Sequence, residues 1–345
     1  MALVKAATPA VQAPSAVATA LQLWALPTVS LSLVIEAERP VPSIVRLLSR
    51  FALLWRPTLL RDTLEWELDS GRFADHVISA TTLRVVDAAY HRQIGHQANL
   101  RSTPIYPEEL VVSIAAAEGV DNSSEAYNLL ERALERIMAA YDVVDKVVER
   151  TEDEFDPEDA NSQKRLRELF ERLKPGEELP GMVSKRWQEI GFQGTSPSTD
   201  FRDLNSLALD ALLYFATEYE SQAVQIVEES VNGGANWYPL ALAMIHMTAF
   251  ALDLALSRDL QLFLLRSFQT KASTDPAPSD LGPFLRAASE LMLLFHAHWL
   301  RSDYNVMQFE QVSKEYQAAL RPWIRRGVMD GRPLGWDNGS RIKSD

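Results

Sequence analysis

One short stretch of the chain combines residues that could do chemistry, and its only cation is Arg202, flanked by Asp200 and Asp203. An arginine offers a permanent positive charge and several N–H donors, which suit anionic groups such as carboxylates and phosphates. The alternative is a structural ion pair between Arg202 and one of the two aspartates, because surface pairs of this kind are common. Either Thr199 or Asp200 can cap the segment that follows.

The residues before Arg202 predict a rigid loop. Gly191 and Gly194 permit tight turns because they lack a Cβ atom. Aromatic side chains can wedge such turns onto a hydrophobic core, and this stretch supplies Trp187, Phe192 and Phe201. We therefore expect the loop to hold Arg202 rigidly at the surface.

Signatures of several other sites are absent from the sequence. It has no glycine-rich phosphate loop, no Gly-x-Ser-x-Gly elbow and no paired-histidine zinc motif. His296 and His298 cannot both face one ion, because residues two apart on a helix point about 200° apart. We expect those two side chains to be packed or half-exposed and His246 to lie in the core. No metal site and no cofactor are predicted.

The elements that position this loop are predicted to be helices, and the predicted fold class is all-α. Apolar residues recur at helical spacing in seven segments: Glu125–Arg150, Gln163–Leu173, Ser206–Val231, Leu240–Ser257, Arg258–Phe268, Asp280–Trp299 and Val306–Ile324. Strand signals are sparse, and only Thr28–Ile35 alternates weakly.

The clearest of these segments is Glu125–Arg150, whose apolar residues are spaced alternately by three and four. They form one stripe along a helix, consisting of Tyr127, Leu130, Leu134, Ile137, Tyr141, Val144 and Val148. The favoured interpretation is a long helix that packs on its own domain. Binding of a helix from a partner is the alternative.

Composition restricts the classes of function. The chain has 345 residues, a net charge of -13 and no cysteine. The acidic surface argues against nonspecific binding to nucleic acid or to anionic lipid. Absence of cysteine excludes disulfides and thiolate catalysis and favours an intracellular setting. No transmembrane segment is predicted, since Ala16–Ile35 and Leu240–Leu256 are both interrupted by polar residues or proline.

The loop and its surroundings resemble the ELMO domain. The likeness rests on an ordered set of motifs: Trp187, Gly191, Phe192 and Gln193, then Pro197, Thr199, Asp200, Phe201 and Arg202, then Leu209, Leu212, Tyr214 and Phe215. It continues through Tyr238-Pro239 and reappears at Phe295–Trp299 and Met307–Val312, so that it spans roughly 125–322.

This resemblance implies a domain organisation. A multi-helix ELMO-type domain with its leading helices is expected at 121–325. Residues 21–120 would then be a helical N-terminal extension of unknown role. Composition, rather than the resemblance, predicts the two ends: residues 1–20 are expected to form a disordered lead, with an organelle-targeting segment as the alternative, and residues 326–345 a loose tail.

The resemblance also implies a function. Short proteins of this family activate Arf and Arf-like GTPases, and their key residue is the arginine that corresponds to Arg202. An arginine inserted in trans stabilises the charge that gathers on the transferred phosphoryl group. The other motif residues would bind the partner or shape the loop, with Gln193 as a second polar contact or a turn-stabilising residue. The expected partner is an Arf-type GTPase in its GTP form. A cytoplasmic location follows, with peripheral and only indirect association with endomembranes.

The likeness departs from the family pattern directly after the arginine. The family usually has glycine there and again two residues later, whereas this chain has Asp203-Leu204-Asn205. Asp203 could neutralise the arginine or repel phosphates. Two alternatives therefore stand beside a GTPase activator: a noncatalytic module that binds a GTPase, and a scaffold that assists an exchange factor.

Overall fold

The protein is described by a computed structural model over residues 59–69, 78–98, 107–231, 234–267 and 281–325. These residues are 77% helical and include no strand, which confirms the all-α class. The weak strand at Thr28–Ile35, the lead 1–20 and the tail 326–345 lie outside the described residues.

The helices are numbered here in chain order. They are α1 (Leu59–Asp69), α2 (Ala80–Ala98), α3 (Pro107–Glu118), α4 (Glu125–Glu152), α5 (Ala160–Leu173), α6 (Ser206–Glu218), α7 (Glu220–Val231), α8 (Leu240–Leu256), α9 (Gln261–Ser267), α10 (Gly282–Leu300) and α11 (Phe309–Ile324). They fall into two compact units, one up to Ala133 and the other from Leu134, and the division lies inside α4. The domain limits expected from the sequence stay predictions.

In the unit up to Ala133, α1, α2 and α3 pack against one another. The fully buried carboxylate of Glu67 on α1 receives the backbone N–H of Ser79 at 3.0 Å and the Ser79 hydroxyl at 2.5 Å. The hydroxyl of Thr82 also donates to it. Because the first N–H groups of a helix lack partners within the helix, Glu67 stabilises the start of α2.

In the unit from Leu134, α8 and α10 make the most extensive helix contact, and α6 lies against both. Helix α8 is apolar on nearly every side, and most of its residues are buried. A helix of that kind belongs in the interior of a core rather than at its surface. The α6–α8–α10 group therefore forms the core of this unit, with α5 packed on α6.

Helix α4 buries a stripe that differs partly from the predicted one. Leu130, Leu134 and Ile137 are buried as expected. The other four residues of the predicted stripe are only half-buried: Tyr127, Tyr141, Val144 and Val148. The remaining buried positions of the helix are Ala126, Leu129, Ala133, Ala140, Val143 and Val147. The prediction left the alanines out of the buried face. With them included, the centre of that face lies away from Tyr127 and Tyr141.

The predicted helix Ser206–Val231 is two helices. Tyr219 adopts φ -123° and ψ 37°, outside the helical region, and ends α6. The apolar periodicity continues across this break because each half buries its own face, α6 against α8 and α10, and α7 against α5 and α6. The single-helix prediction is therefore wrong at this residue.

Two other helices start later than predicted. Helix α9 begins at Gln261, because Arg258 has a φ of +63° that interrupts helical geometry. Before α11, residues Val306–Gln308 form a 3₁₀ turn in which Asn305 and Gln308 cap each other's backbone. This reciprocal cap supplies partners for N–H groups at the helix start.

Among the described helices, none is both long and apolar enough to cross a membrane by itself. Helices α8 and α9 reach the required length and apolar character only when they are taken together, and the chain bends by 95° at the break between them.

Candidate functional site

The loop that carries Arg202 begins with a 3₁₀ helix, Lys185–Ile190. The hydroxyl of Ser184 caps its start by accepting the Arg186 N–H at 3.2 Å. Gly191 ends it with a φ of +92°, a left-handed conformation that glycine adopts without steric cost. The chain then turns back, and the Phe192 N–H donates to the Trp187 carbonyl at 3.1 Å.

Gly191 also brings the loop into direct contact with the first turn of α8. A Cβ atom at this position would lie 2.2 Å from the backbone nitrogen of Leu240 and 2.7 Å from that of Ala241. In addition, the N–H of Leu242 donates to the Gly191 carbonyl at 3.3 Å. The glycine is therefore required twice, for its backbone conformation and for the space it leaves.

The three aromatic residues of the loop are buried and form part of a continuous chain of edge-to-face contacts. The ring centroids are 5.6 Å apart for Phe170–Trp187, 5.7 Å for Trp187–Phe192, 5.7 Å for Phe192–Phe201 and 4.9 Å for Phe201–Phe155. The indole N–H of Trp187 donates to the Met182 carbonyl at 2.8 Å, so its polar atom is satisfied. This chain, the aromatic wedge, fixes the loop on the core.

The Asp200 side chain hydrogen-bonds to other residues of its own loop. Its carboxylate accepts the backbone N–H of Gln193 at 2.9 Å and lies 3.3 Å from the Thr199 hydroxyl. Its own N–H donates to the carbonyl of Pro197, a buried residue that opens a short 3₁₀ turn. Asp200 thus binds the loop backbone rather than Arg202, while the Gln193 side chain is exposed.

Arg202 itself is exposed. Within the described part of the chain, its side chain makes no hydrogen bond, ion pair or ring contact. The structural ion pair with Asp200 or Asp203 that the sequence left open is therefore not formed among those residues. The guanidinium is free to meet an anionic group of another molecule.

Asn205 lies two positions after Asp203, where the family pattern has glycine. It adopts a φ of +48° and a ψ of -131°, a region that favours glycine. Its side-chain amide donates to the Thr151 carbonyl at 2.7 Å, which anchors the loop to the end of α4. Asn205 thus combines an unusual backbone conformation with a side-chain hydrogen bond that glycine could not make.

An ion cluster near the start of α6 was not anticipated from the sequence. Asp210 on α6 accepts the Nε–H of Arg150 at 2.5 Å and also binds Arg165 of α5. The hydrogen bond with Asp210 raises the pKa of Arg150 above its ordinary value, and a second bond to Asp153 adds to this effect. The cluster joins α4, α5 and α6 around the start of α6.

His246 on α8 is half-buried at the surface rather than enclosed in the core. Its Nε2 lies 3.7 Å from the Glu310 carboxylate of α11, and its ring lies 5.4 Å from that of Phe309. Burial lowers the pKa of His246, and Lys314 lowers it further, whereas the charges of Glu310 and Asp203 raise it.

His296 and His298 contact different partners, as their helical spacing predicted. Nδ1 of His296 lies 2.8 Å from the Tyr238 hydroxyl, and Nε2 lies 3.0 Å from the Glu229 carboxylate. Burial lowers the pKa of His296 despite the opposing charge of Glu229. The ring of His298 instead stacks on Tyr316 at 5.4 Å. In the described ranges, no three histidine or acidic side chains gather as metal ligands.

Comparisons with known proteins agree with the likeness read from the motifs. Residues 145–313 match the model of the ELMO/CED-12 family. The chain is 28% identical to ELMO domain-containing protein 1 of Mus musculus over 208 residues, 55% of this chain and 62% of the relative. It is 39% identical to ELMO domain-containing protein 2 of the same species over 168 residues, 48% and 55% of the two chains.

A more distant relative is matched over more of its length. ELMO domain-containing protein B of Dictyostelium discoideum is 24% identical over 238 residues, 67% of this chain and 79% of the relative. By contrast, the chain spans only about 62% of the mouse protein 1. No solved structure matches.

Proposed function

We propose that this protein, whose residues 145–313 match the model of the ELMO/CED-12 family, stimulates GTP hydrolysis by a small GTPase of the Arf or Arf-like type. In this proposal the chain binds the GTP-bound form of its partner and supplies Arg202 in trans. It needs no cofactor of its own, because the nucleotide and its magnesium ion belong to the partner.

The observation that carries the proposal is the free, exposed guanidinium of Arg202 beside an aspartate that is already engaged. Asp200 uses its carboxylate on the Gln193 N–H and on Thr199, and so leaves the positive charge of Arg202 uncompensated from that side. GTP hydrolysis builds negative charge on the transferred phosphoryl group and the leaving oxygen. An arginine placed against those oxygens is suited to stabilise that charge with paired hydrogen bonds.

The backbone that carries Arg202 is fixed before any partner arrives. Gly191 touches the first turn of α8, and the Asn205 side chain is bonded to the end of α4. Positioning a charged group in advance is effective in catalysis because little reorganisation is needed when the reaction occurs. A rigid loop thus favours a catalytic use of Arg202 over simple surface display.

The proposal is tested by single-turnover GTP hydrolysis with a panel of Arf-type GTPases. Wild-type protein is compared with Arg202→Ala, Arg202→Lys and the control Arg167→Ala, which removes an exposed arginine of α5. We expect Arg202→Ala to lose about a thousandfold or more of the stimulation. Arg202→Lys should recover little, since an ammonium lacks the planar fork.

The control variant should stimulate hydrolysis as the wild type does. Absence of stimulation by the wild type across the panel would overturn the proposal. Equal stimulation by wild type and Arg202→Ala would show that another residue carries the activity.

A second candidate function is favoured by Asp203. An acidic side chain next to Arg202 opposes the approach of phosphate oxygens, which suits a module that binds a GTPase without accelerating hydrolysis. The variant Asp203→Gly distinguishes the two functions, because glycine is the residue type that the family pattern has at this position. Binding of the GTP form by both proteins, with stimulation appearing only in Asp203→Gly, would identify the wild type as a binding module.

A further inference from the structure

The segment that leads into α8 is bound to α10 by two hydrogen bonds. The indole N–H of Trp299 donates to the Asn236 carbonyl at 2.7 Å. Two residues further along the chain, the Tyr238 hydroxyl lies 2.8 Å from Nδ1 of His296. Tyr238 is fully buried and His296 nearly so, so water does not replace this bond. The position of the start of α8 is therefore fixed partly by α10.

The direction of the Tyr238 bond follows from the groups around the imidazole. Nε2 of His296 lies 3.0 Å from the carboxylate of Glu229 on α7. An ionised carboxylate only accepts hydrogen bonds, so Nε2 carries the proton of the neutral ring and Nδ1 accepts from the Tyr238 hydroxyl. Burial lowers the pKa of His296, which favours this neutral form at pH 7. His296 thus links α7 to the start of α8.

The loop of Arg202 rests on the first turn of α8. The N–H of Leu242 donates to the Gly191 carbonyl at 3.3 Å, and a Cβ atom on Gly191 would lie 2.2 Å from the backbone of that turn. The next residue in the chain is Phe192, whose ring centroid lies 5.7 Å from that of Phe201. Arg202 follows Phe201 directly. An unbroken series of contacts therefore leads from the start of α8 to the backbone of Arg202.

We propose that His296 is a positioning residue for Arg202: by holding the Tyr238 hydroxyl it fixes the first turn of α8, on which the Arg202 loop rests. This inference rests on the proposed function and adds a buried residue to the same site. His296 acts through the placement of the guanidinium. A displacement of about 1 Å at a reacting group can lower a rate about a hundredfold.

The structural link is tested without any GTPase, by amide hydrogen exchange of the full chain followed by NMR. N–H groups in the first turn of a helix lack partners within the helix, so protection of the Leu242 amide reports its bond to Gly191. In Tyr238→Phe, this amide should exchange about three- to tenfold faster, as suits the loss of one hydrogen bond. The reference is the Tyr219 amide, which donates to the Phe215 carbonyl at the end of α6. An unchanged ratio of the two exchange rates overturns the inference.

Two substitutions at His296 separate its bond to Tyr238 from its bond to Glu229. The side-chain amide of asparagine reaches the position of Nδ1, that of glutamine reaches the position of Nε2, and both can donate and accept. His296→Asn therefore keeps a partner for Tyr238, whereas His296→Gln keeps one for Glu229. Exchange of the Leu242 amide should stay near the wild-type rate in His296→Asn and become faster in His296→Gln. Equal rates in the two variants, or the reverse order, would contradict the proposed route through Tyr238.

The effect on turnover is measured by single-turnover hydrolysis at a series of concentrations of this protein. The loop keeps its anchor at Asn205, so we expect a partial loss in His296→Gln. The maximal stimulated rate should fall about three- to tenfold, with a half-saturating concentration close to the wild-type value, because Arg202 still meets its partner but is held less well. His296→Asn should recover most of the rate. His91→Gln, at a half-exposed histidine of α2, should keep both wild-type values.

The outcomes separate the two proposals. A wild-type protein that stimulates no GTPase overturns the proposed function, and the role of His296 in turnover with it. Stimulation that depends on Arg202 but has the same maximal rate per folded molecule in His296→Gln as in the wild type overturns the role of His296 alone. If His296→Gln does not fold, Tyr238→Phe gives the same comparison, since its ring can keep the packing against Phe295 and Trp299.

Discussion

At the scale of single residues, replacing Gly191 has two costs, one from the backbone conformation and one from a steric clash. Its φ of +92° strains any other residue, and an added Cβ would also meet the backbone of α8 at 2.2 Å. We expect Gly191→Ala to lower the free energy of unfolding by about 2–5 kcal/mol. Equilibrium denaturation with urea measures the change.

Gly176 provides a matched control for this substitution. It has a φ of +80° with no atom within 4 Å of an added Cβ, so Gly176→Ala has only the conformational cost. That cost is about 1–2 kcal/mol. Equal losses in the two variants would contradict the close contact between Gly191 and α8.

Several features of the loop could be predicted from the residue types alone. Trp187, Phe192 and Phe201 are large and apolar, and burial of such side chains is strongly favoured. The partner of the Asp200 carboxylate could not be predicted, because it is the backbone N–H of Gln193 and backbone groups leave no mark in the sequence. The departure at Asn205 did carry a signal, since asparagine is among the few residues that tolerate positive φ.

At the scale of helices, Asp210 holds α6 to α4 and α5 through Arg150 and Arg165. Its side chain is 13% exposed, and the two arginines are 30% and 24% exposed. Asp210→Asn leaves Arg165 without its counter-charge among the described residues and leaves Arg150 with Asp153 alone. We therefore expect a loss of about 1–3 kcal/mol in unfolding free energy. Urea denaturation at neutral pH measures it.

Asp142 offers the comparison for this substitution. It pairs with Lys146 one turn along α4 and is 55% exposed. Asp142→Asn should therefore cost about 0.5 kcal/mol or less. If both aspartate variants lost the same amount, the cluster at Asp210 would not be what joins the three helices.

The helix predictions succeeded where periodicity is the deciding factor and failed where tertiary contacts decide. The break at Tyr219 is invisible to periodicity because α6 and α7 each continue to bury an apolar face on different neighbours. The Asp210 cluster was missed for a related reason. Its arginines lie 45 and 60 residues away in the chain, so no local spacing joins them.

At the scale of the whole molecule, the lowered pKa values of two histidines make stability depend on pH. Burial lowers the pKa of both His246 and His296, so the folded chain binds protons less readily than the unfolded chain near pH 6. Stability is then fully present above the ordinary histidine pKa and is lost as the pH falls from there through the lowered pKa of the folded chain. Each histidine contributes a slope of at most about 1.4 kcal/mol per pH unit.

We therefore expect the unfolding free energy to decrease between about pH 7 and pH 5. The decrease should be smaller in His296→Gln, which cannot take up a proton. Urea titrations at a series of pH values measure both slopes. A wild-type protein that becomes more stable toward pH 5, or a slope unaffected by removing His296, would contradict this account.

The contact between Gly191 and the first turn of α8 has a consequence for how partners are distinguished. A loop whose backbone is already fixed loses little conformational entropy when another molecule docks. Any adjustment of shape must then come from the partner, as in other complexes where one surface is pre-organised. Under the proposed function, two GTPases with the same residues at the contact would be distinguished by the stiffness of their own surfaces, because only the one that adapts at low cost can fit.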